Sequence, residues 1–119
     1  MAAENRVVVV VDDEPGFCDT VKDVLEDEGF TVEIARDGRA GLDLLRALPA
    51  PPCLVVLDIL MPVLDGKEVY RELKADPKLA NVPVVFATSD PSLVPTGAPV
   101  LAKPFSIDRL IATVASYCA

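Results

Sequence analysis

Histidine is absent from the 119 residues. Its absence removes His-based metal sites, Ser–His and Cys–His catalysis, and any phosphohistidine on this chain. Chemistry here must run on Asp, Lys, Thr and an ion. Cysteine is scarce: Cys18, Cys53 and Cys118 are odd in number and form no C-x-x-C pair, which argues against a disulfide framework or a zinc ribbon. All three are expected to be reduced, small core hydrophobes in a cytosolic protein. Apolar runs are short. Val7 to Val11 and Leu54 to Leu57 are strand-sized, far below the ~18 residues of a membrane span. Glu4 and Arg6 precede only five valines, so neither charge nor length suits a secretory signal, and a cytoplasmic location is expected. Basic clusters are missing too. With a net charge of -8 the chain repels a phosphate backbone, so it should bind no nucleic acid by itself.

What is present is a globular composition, with 51% hydrophobic and 25% charged residues, too apolar for disorder and of a length for one core. A single domain over 1–119 is expected, without repeats or linkers. Continuous apolar runs alternate with amphipathic segments, the pattern of buried parallel strands joined by crossover helices. The fold is therefore read as α/β. Strands are expected at Val7 to Val11, Thr31 to Ala35, Leu54 to Leu57, Val84 to Ala87 and Val100 to Ala102. A first helix starts near Pro15 with Phe17, Val21, Val24 and Leu25 on one face, and ends at Gly29. A second spans about Arg39 to Leu48, with Gly41, Leu44, Leu45 and Leu48 inward. A third runs from about Gly66 to Ala75 with Val69 and Leu73 inward. The last follows Ser106, its expected N-cap, and stripes Ile107, Leu110, Ile111, Val114 and Cys118. Between Ala87 and Val100 the residues Pro91, Pro95, Gly97 and Pro99 leave room only for loop or a single turn.

Open α/β sheets build their sites at the carboxyl ends of the strands. There the first strand offers Asp12 and Asp13, the third Asp58, the fourth Thr88 and the fifth Lys103 followed by Pro104. Carboxylates this close repel one another and call for a hard cation such as Mg²⁺. With charge compensated, one carboxylate can attack a phosphoryl group while the lysine and threonine donate to its oxygens.

The segments D-D-E-P at 12–15, L-D-I-L-M-P-V-L-D-G at 57–66, T-S at 88–89 and K-P-F at 103–105 together resemble a response-regulator receiver domain over essentially the whole chain. The resemblance implies a flavodoxin-like, doubly wound five-stranded parallel sheet of order 2-1-3-4-5. It implies that Asp58 accepts phosphate from the phosphohistidine of a sensor histidine kinase or phosphotransfer protein. It further implies that Asp12, Asp13, Asp58 and the backbone carbonyl of Leu60 hold Mg²⁺, with Mn²⁺ an acceptable substitute. Thr88 would shift toward the phosphoryl group, Lys103 would pair with it, and the Lys103–Pro104 bond would be cis. Two features depart from the family pattern. Only residues 89–102 separate Thr88 from Lys103, about two helical turns fewer than usual, so the helix of that crossover should be shortened or absent. Val100 also stands where the family usually has a switching aromatic.

Bland readings exist for each residue. Asp12 and Asp13 could be a helix-entry cap pair, and Thr88 a strand-end hydroxyl. Asp65–Gly66 reads as a turn or cap, Leu60 to Pro62 as a loop, and Asp76, Asp90 and Asp108 as caps or surface charge. Tyr70 and Tyr117 are expected to pack partly buried. Three functions compete: a regulatory phosphoacceptor whose output is a protein contact, a degenerate receiver acting as a phosphorylation-independent interaction module, and an aspartate-nucleophile phosphatase of the haloacid-dehalogenase type. The last lacks its D-x-D signature and capping domain.

Overall fold

Val, Leu and Ile fill the strand positions because their χ1-restricted side chains pack on a pleated surface, and here both surfaces are covered. In the computed structural model, which describes residues 6–118, the order is β1 (Val7–Val11), α1 (Pro15–Asp27), β2 (Thr31–Ala35), α2 (Gly38–Ala47), β3 (Leu54–Leu57), α3 (Gly66–Ala75), β4 (Val84–Thr88), β5 (Val100–Ala102) and α4 (Ile107–Tyr117). Glu4, used in the N-terminal reading, lies outside the described residues. All five strands are parallel in the order β2-β1-β3-β4-β5. This is the doubly wound, flavodoxin-like α/β fold.

Alternation along β1 sorts the core into two halves. Val8 and Val10 face α1 and α4, joining Val21, Leu25, Leu110 and Val114. Val9 and Val11 face α2 and α3, joining Leu42, Leu45, Val69 and Leu73. Helix ends are set locally: Asp37 accepts from the Ala40 amide, Asp65 from the Glu68 amide and Ser106 from the Arg109 amide. Gly29, at φ 92°, adopts the left-handed conformation that closes α1.

The β4–β5 crossover holds a single 3₁₀ turn, Pro91–Leu93, as its prolines require. Leu93, Val94 and Ala98 lie partly buried against the α2–α3 side of the core, where a helix would otherwise pack.

Four expectations need correction. In α2 the buried leucines are Leu42 and Leu45, whereas Leu44 and Leu48 are only partly covered, because the inward stripe runs through Gly38, Gly41, Leu42 and Leu45 and leaves Leu44 on its flank and Leu48 at the cap. Ile107, expected on the inward stripe of α4, is exposed at the helix's first turn, beside the cavity described below. Tyr117 is exposed, since Val114 and Cys118 take the inward positions of the last turn. Finally, Cys53 and Cys118 are not reduced: they form a disulfide, with Cα atoms 5.4 Å apart. Packed on the sheet after β5, α4 runs back against the strand direction. Its end therefore meets the chain entering β3, a juxtaposition created by topology across 65 residues. Cys18 is the buried free thiol that was expected.

Candidate functional site

Four of the five strands, β1, β3, β4 and β5, deliver a polar residue one step beyond, or at, the last ladder pair. The Asp12 amide donates to the Ala35 carbonyl at 3.0 Å, the Asp58 amide to Val11 at 2.9 Å and the Lys103 amide to Thr88 at 2.8 Å. The sheet's own hydrogen bonding thus fixes where these side chains start. Asp12, Asp13, Asp58, Leu60 and Lys103 line one cavity of about 830 Å³ at the carboxyl edge. Oxygens from Asp12, Asp13 and Asp58 lie within 4.8 Å of one another, the one such acidic trio among the described residues. Asp12 is 1% exposed, Asp58 8%, and Asp13 is open to solvent.

Lys103 answers part of this charge. Its Nζ donates to Asp12 Oδ2 at 2.7 Å, stands 4.0 Å from Glu14 Oε1, and lies 4.0 Å from the centroid of the Phe17 ring. Asp12 has a second task, since its Oδ1 accepts from the Glu14 amide at 3.0 Å. The Asp58 carboxyl is pushed up to about 6, first by burial and then by the Asp12 charge; Lys103 and the backbone amides of Ile59 and Leu60 pull the other way. A buried carboxylate beside surplus negative charge is a place where a cation would be electrostatically favoured.

Thr88 is buried beside this group without lining the cavity. Its hydroxyl accepts from the Asp90 amide at 3.1 Å. Ser89, which sequence reasoning passed over, is exposed and does line it. Strand alternation could have flagged Ser89, because consecutive residues at a strand end point to opposite sides. The bland readings of Asp65, Asp76 and Asp90 hold, since each accepts from a nearby backbone amide. Gly66 does more than cap. An added Cβ there would stand 2.1 Å from the Asp58 carbonyl oxygen, so α3 can seat against the end of β3 only through glycine. The Lys103–Pro104 bond is cis.

The family described as "Response regulator receiver domain" matches residues 8–115. The chain belongs to the receiver-domain family. Among curated relatives, Response regulator Rre1 of a Synechocystis species is 38% identical over 121 residues, covering 94% of this chain and 51% of the relative. Response regulator MprA of Mycolicibacterium vanbaalenii is 36% identical over 112 residues, covering 88% and 47% respectively. The chain spans about half the length of these relatives. Among solved structures, the receiver domain of a histidine kinase from Syntrophus aciditrophicus superposes with TM-score 0.84 at 32% identity, covering 98% of this chain and 90% of that one. The Francisella response regulator 1452 receiver domain gives 0.81 at 30%, with 95% and 96% covered. As receiver domains do, this chain carries an acidic pocket of the kind that binds a divalent metal, and its family is one of regulatory phosphoacceptors in two-component signalling.

Proposed function

We propose that this chain acts as one receiver unit in which Asp58 accepts a phosphoryl group from the phosphohistidine of a sensor histidine kinase or phosphotransfer protein. The observation that carries the reading is the convergence, in one cavity, of three carboxylates within 4.8 Å and the Lys103 ammonium. An all-oxygen donor set of this charge fits Mg²⁺, or Mn²⁺, held by Asp12, Asp13, Asp58 and the Leu60 carbonyl. When bound, the ion neutralises the trio and the incoming phosphoryl oxygens. The chain's own residues supply the rest. A carboxylate oxygen of Asp58 attacks phosphorus as the phosphorus–nitrogen bond to the donor imidazole breaks; the bond's electron pair stays on that nitrogen, and the donor ring, protonated beforehand at its other nitrogen, leaves as neutral imidazole. Lys103, now shared with Asp12, donates to a phosphoryl oxygen. Thr88, once it exchanges the Asp90 amide for the phosphoryl group, donates a second hydrogen bond.

The cavity is larger than a phosphoryl group needs. It continues between α1 and α4 as an apolar groove lined by Phe17, Val21, Val24, Phe105, Ile107 and Leu110. The exposed acids Asp13 and Glu14 line its mouth, so the donor protein should present apolar side chains flanked by basic ones. Output is a protein contact rather than a metabolic reaction. Incubation with acetyl phosphate and Mg²⁺ should add the mass of one phosphoryl group to the wild-type chain. No adduct under saturating donor would instead support the phosphorylation-independent interaction module.

A further inference from the structure

Phosphoryl chemistry leaves Cys53 and Cys118 unused, and α4 links them to the acidic cavity. The residues entering α4, from Lys103 to Ile107, wall the cavity, while Cys118, next after its last residue, is bonded to Cys53 at the other end. Between those ends only Leu110 and Val114 of the helix are buried. The disulfide therefore adds a covalent tie to a helix seated by few fully buried side chains. We propose that Cys53 and Cys118 form a reversible thiol–disulfide site that sets how tightly α4 is held to the sheet, and through α4 the shape of the groove beside Asp58.

Both oxidation states have a place for each sulfur. Cys53 is partly exposed, and its Sγ lies 3.3 Å from the Val7 carbonyl oxygen, so a released thiol finds an acceptor already in position. Cys118 is 2% exposed within the apolar α1–α4 side of the core, where a neutral thiol packs as a small hydrophobe. The third cysteine stands apart from the exchange. Cys18 is buried, its Sγ donates to the Asp12 carbonyl at 3.3 Å, and burial pushes its thiol up to about 11, which starves it of thiolate.

The exchange balances with a small thiol of the glutathione class. Its thiolate attacks the more accessible Cys53 Sγ, the Cys53–Cys118 bond breaks, and Cys118 leaves as thiolate and takes up a proton. A second small thiolate attacks the outer sulfur of the mixed disulfide, and Cys53 leaves and is protonated in turn. Two electrons and two protons pass to the protein, and the two small thiols become a disulfide. Oxidation by a small-molecule disulfide reverses each step.

The test equilibrates the full chain in buffers of graded reduced-to-oxidised glutathione, then reads thiols by alkylation and peptide mass, and α4 by amide hydrogen exchange. Cys53 and Cys118 should be alkylated together in one transition. Amides of residues 110–118 should exchange about tenfold faster or more in the reduced chain. Cys53→Ser and Cys53→Ala, held in oxidising buffer, should both show the fast exchange. Failure of the bond to form in oxidised glutathione, or equal α4 exchange in both states, would overturn the proposal. Neither readout uses Mg²⁺ or a phosphoryl donor, so the outcome is independent of whether Asp58 is labelled.

Discussion

Asp58 is placed where a carboxylate is least comfortable, and that discomfort is measurable. Its folded value of about 6 lies above the ordinary 3.8, so between these pH values the folded state holds more protons than the unfolded one. Stability should therefore fall as pH rises from about 4 to 6, with the penalty, roughly 3 kcal/mol at most, fully present above pH 6. Asp58→Asn should consequently stabilise the metal-free protein at pH 7.5 by about 1–3 kcal/mol and lose that advantage below pH 4, as read by urea unfolding in EDTA. A variant no more stable than the parent at pH 7.5 would show that Asp58 is not strained. Asp13 tests the other half of the trio: it is exposed and stands in the cluster, so Asp13→Ala should weaken Mg²⁺ binding at least tenfold in a calorimetric titration while leaving apo stability unchanged or slightly higher. These residues were legible beforehand because strand ends in an open sheet collect at one edge. Ser89 was readable by strand alternation though passed over, whereas the exposure of Tyr117 was not, because which side a residue faces in a helix's last turn depends on how the helix ends.

Among the elements, α3 and β5 begin and end where their sequences mark them, α3 between Asp65 and Asp76 and β5 after Pro99. The start of α2 was harder to read, since its cap Asp37 sits before two residues that look like loop. The Cys53–Cys118 pairing had no local signal at all, being a product of chain reversal by α4. Gly66 links an element to the site. Gly66→Ala forces the start of α3 off the Asp58 carbonyl, and should cost about 1–3 kcal/mol of stability and slow phosphorylation together; normal unfolding and normal labelling would refute the close packing. The β4–β5 crossover is the other element with consequences. Lacking a helix, and with Val100 unable to carry a hydroxyl into the space Thr88 vacates, it confines any switch to short segments. A beryllofluoride phosphoryl mimic should move backbone amide resonances mainly in residues 58–62 and 87–105. Shifts spread evenly over α2 and α3 would contradict this.

Across the whole molecule, charge and function divide along the sheet. Residues 36–83, which include α2 and α3, carry seven acidic and seven basic side chains, so the surplus of negative charge belongs to the residues around them, chiefly α1 and the loop before it. That side holds the groove, the cavity and the disulfide-tied helix, whereas the opposite side is neutral and closed by the compact crossover. The negative total was readable in the composition, but its segregation was not, because it depends on which helices share a face. One outcome decides the central claim. The chain is incubated with acetyl phosphate and Mg²⁺, the acyl phosphate is trapped by borohydride reduction, and the modified residue is located by tandem mass spectrometry of its peptides. Conversion at Asp58 alone, absent from Asp58→Asn, is the predicted result. Conversion at Asp12 or Asp13, or equal labelling of the Asp58→Asn chain, would contradict it.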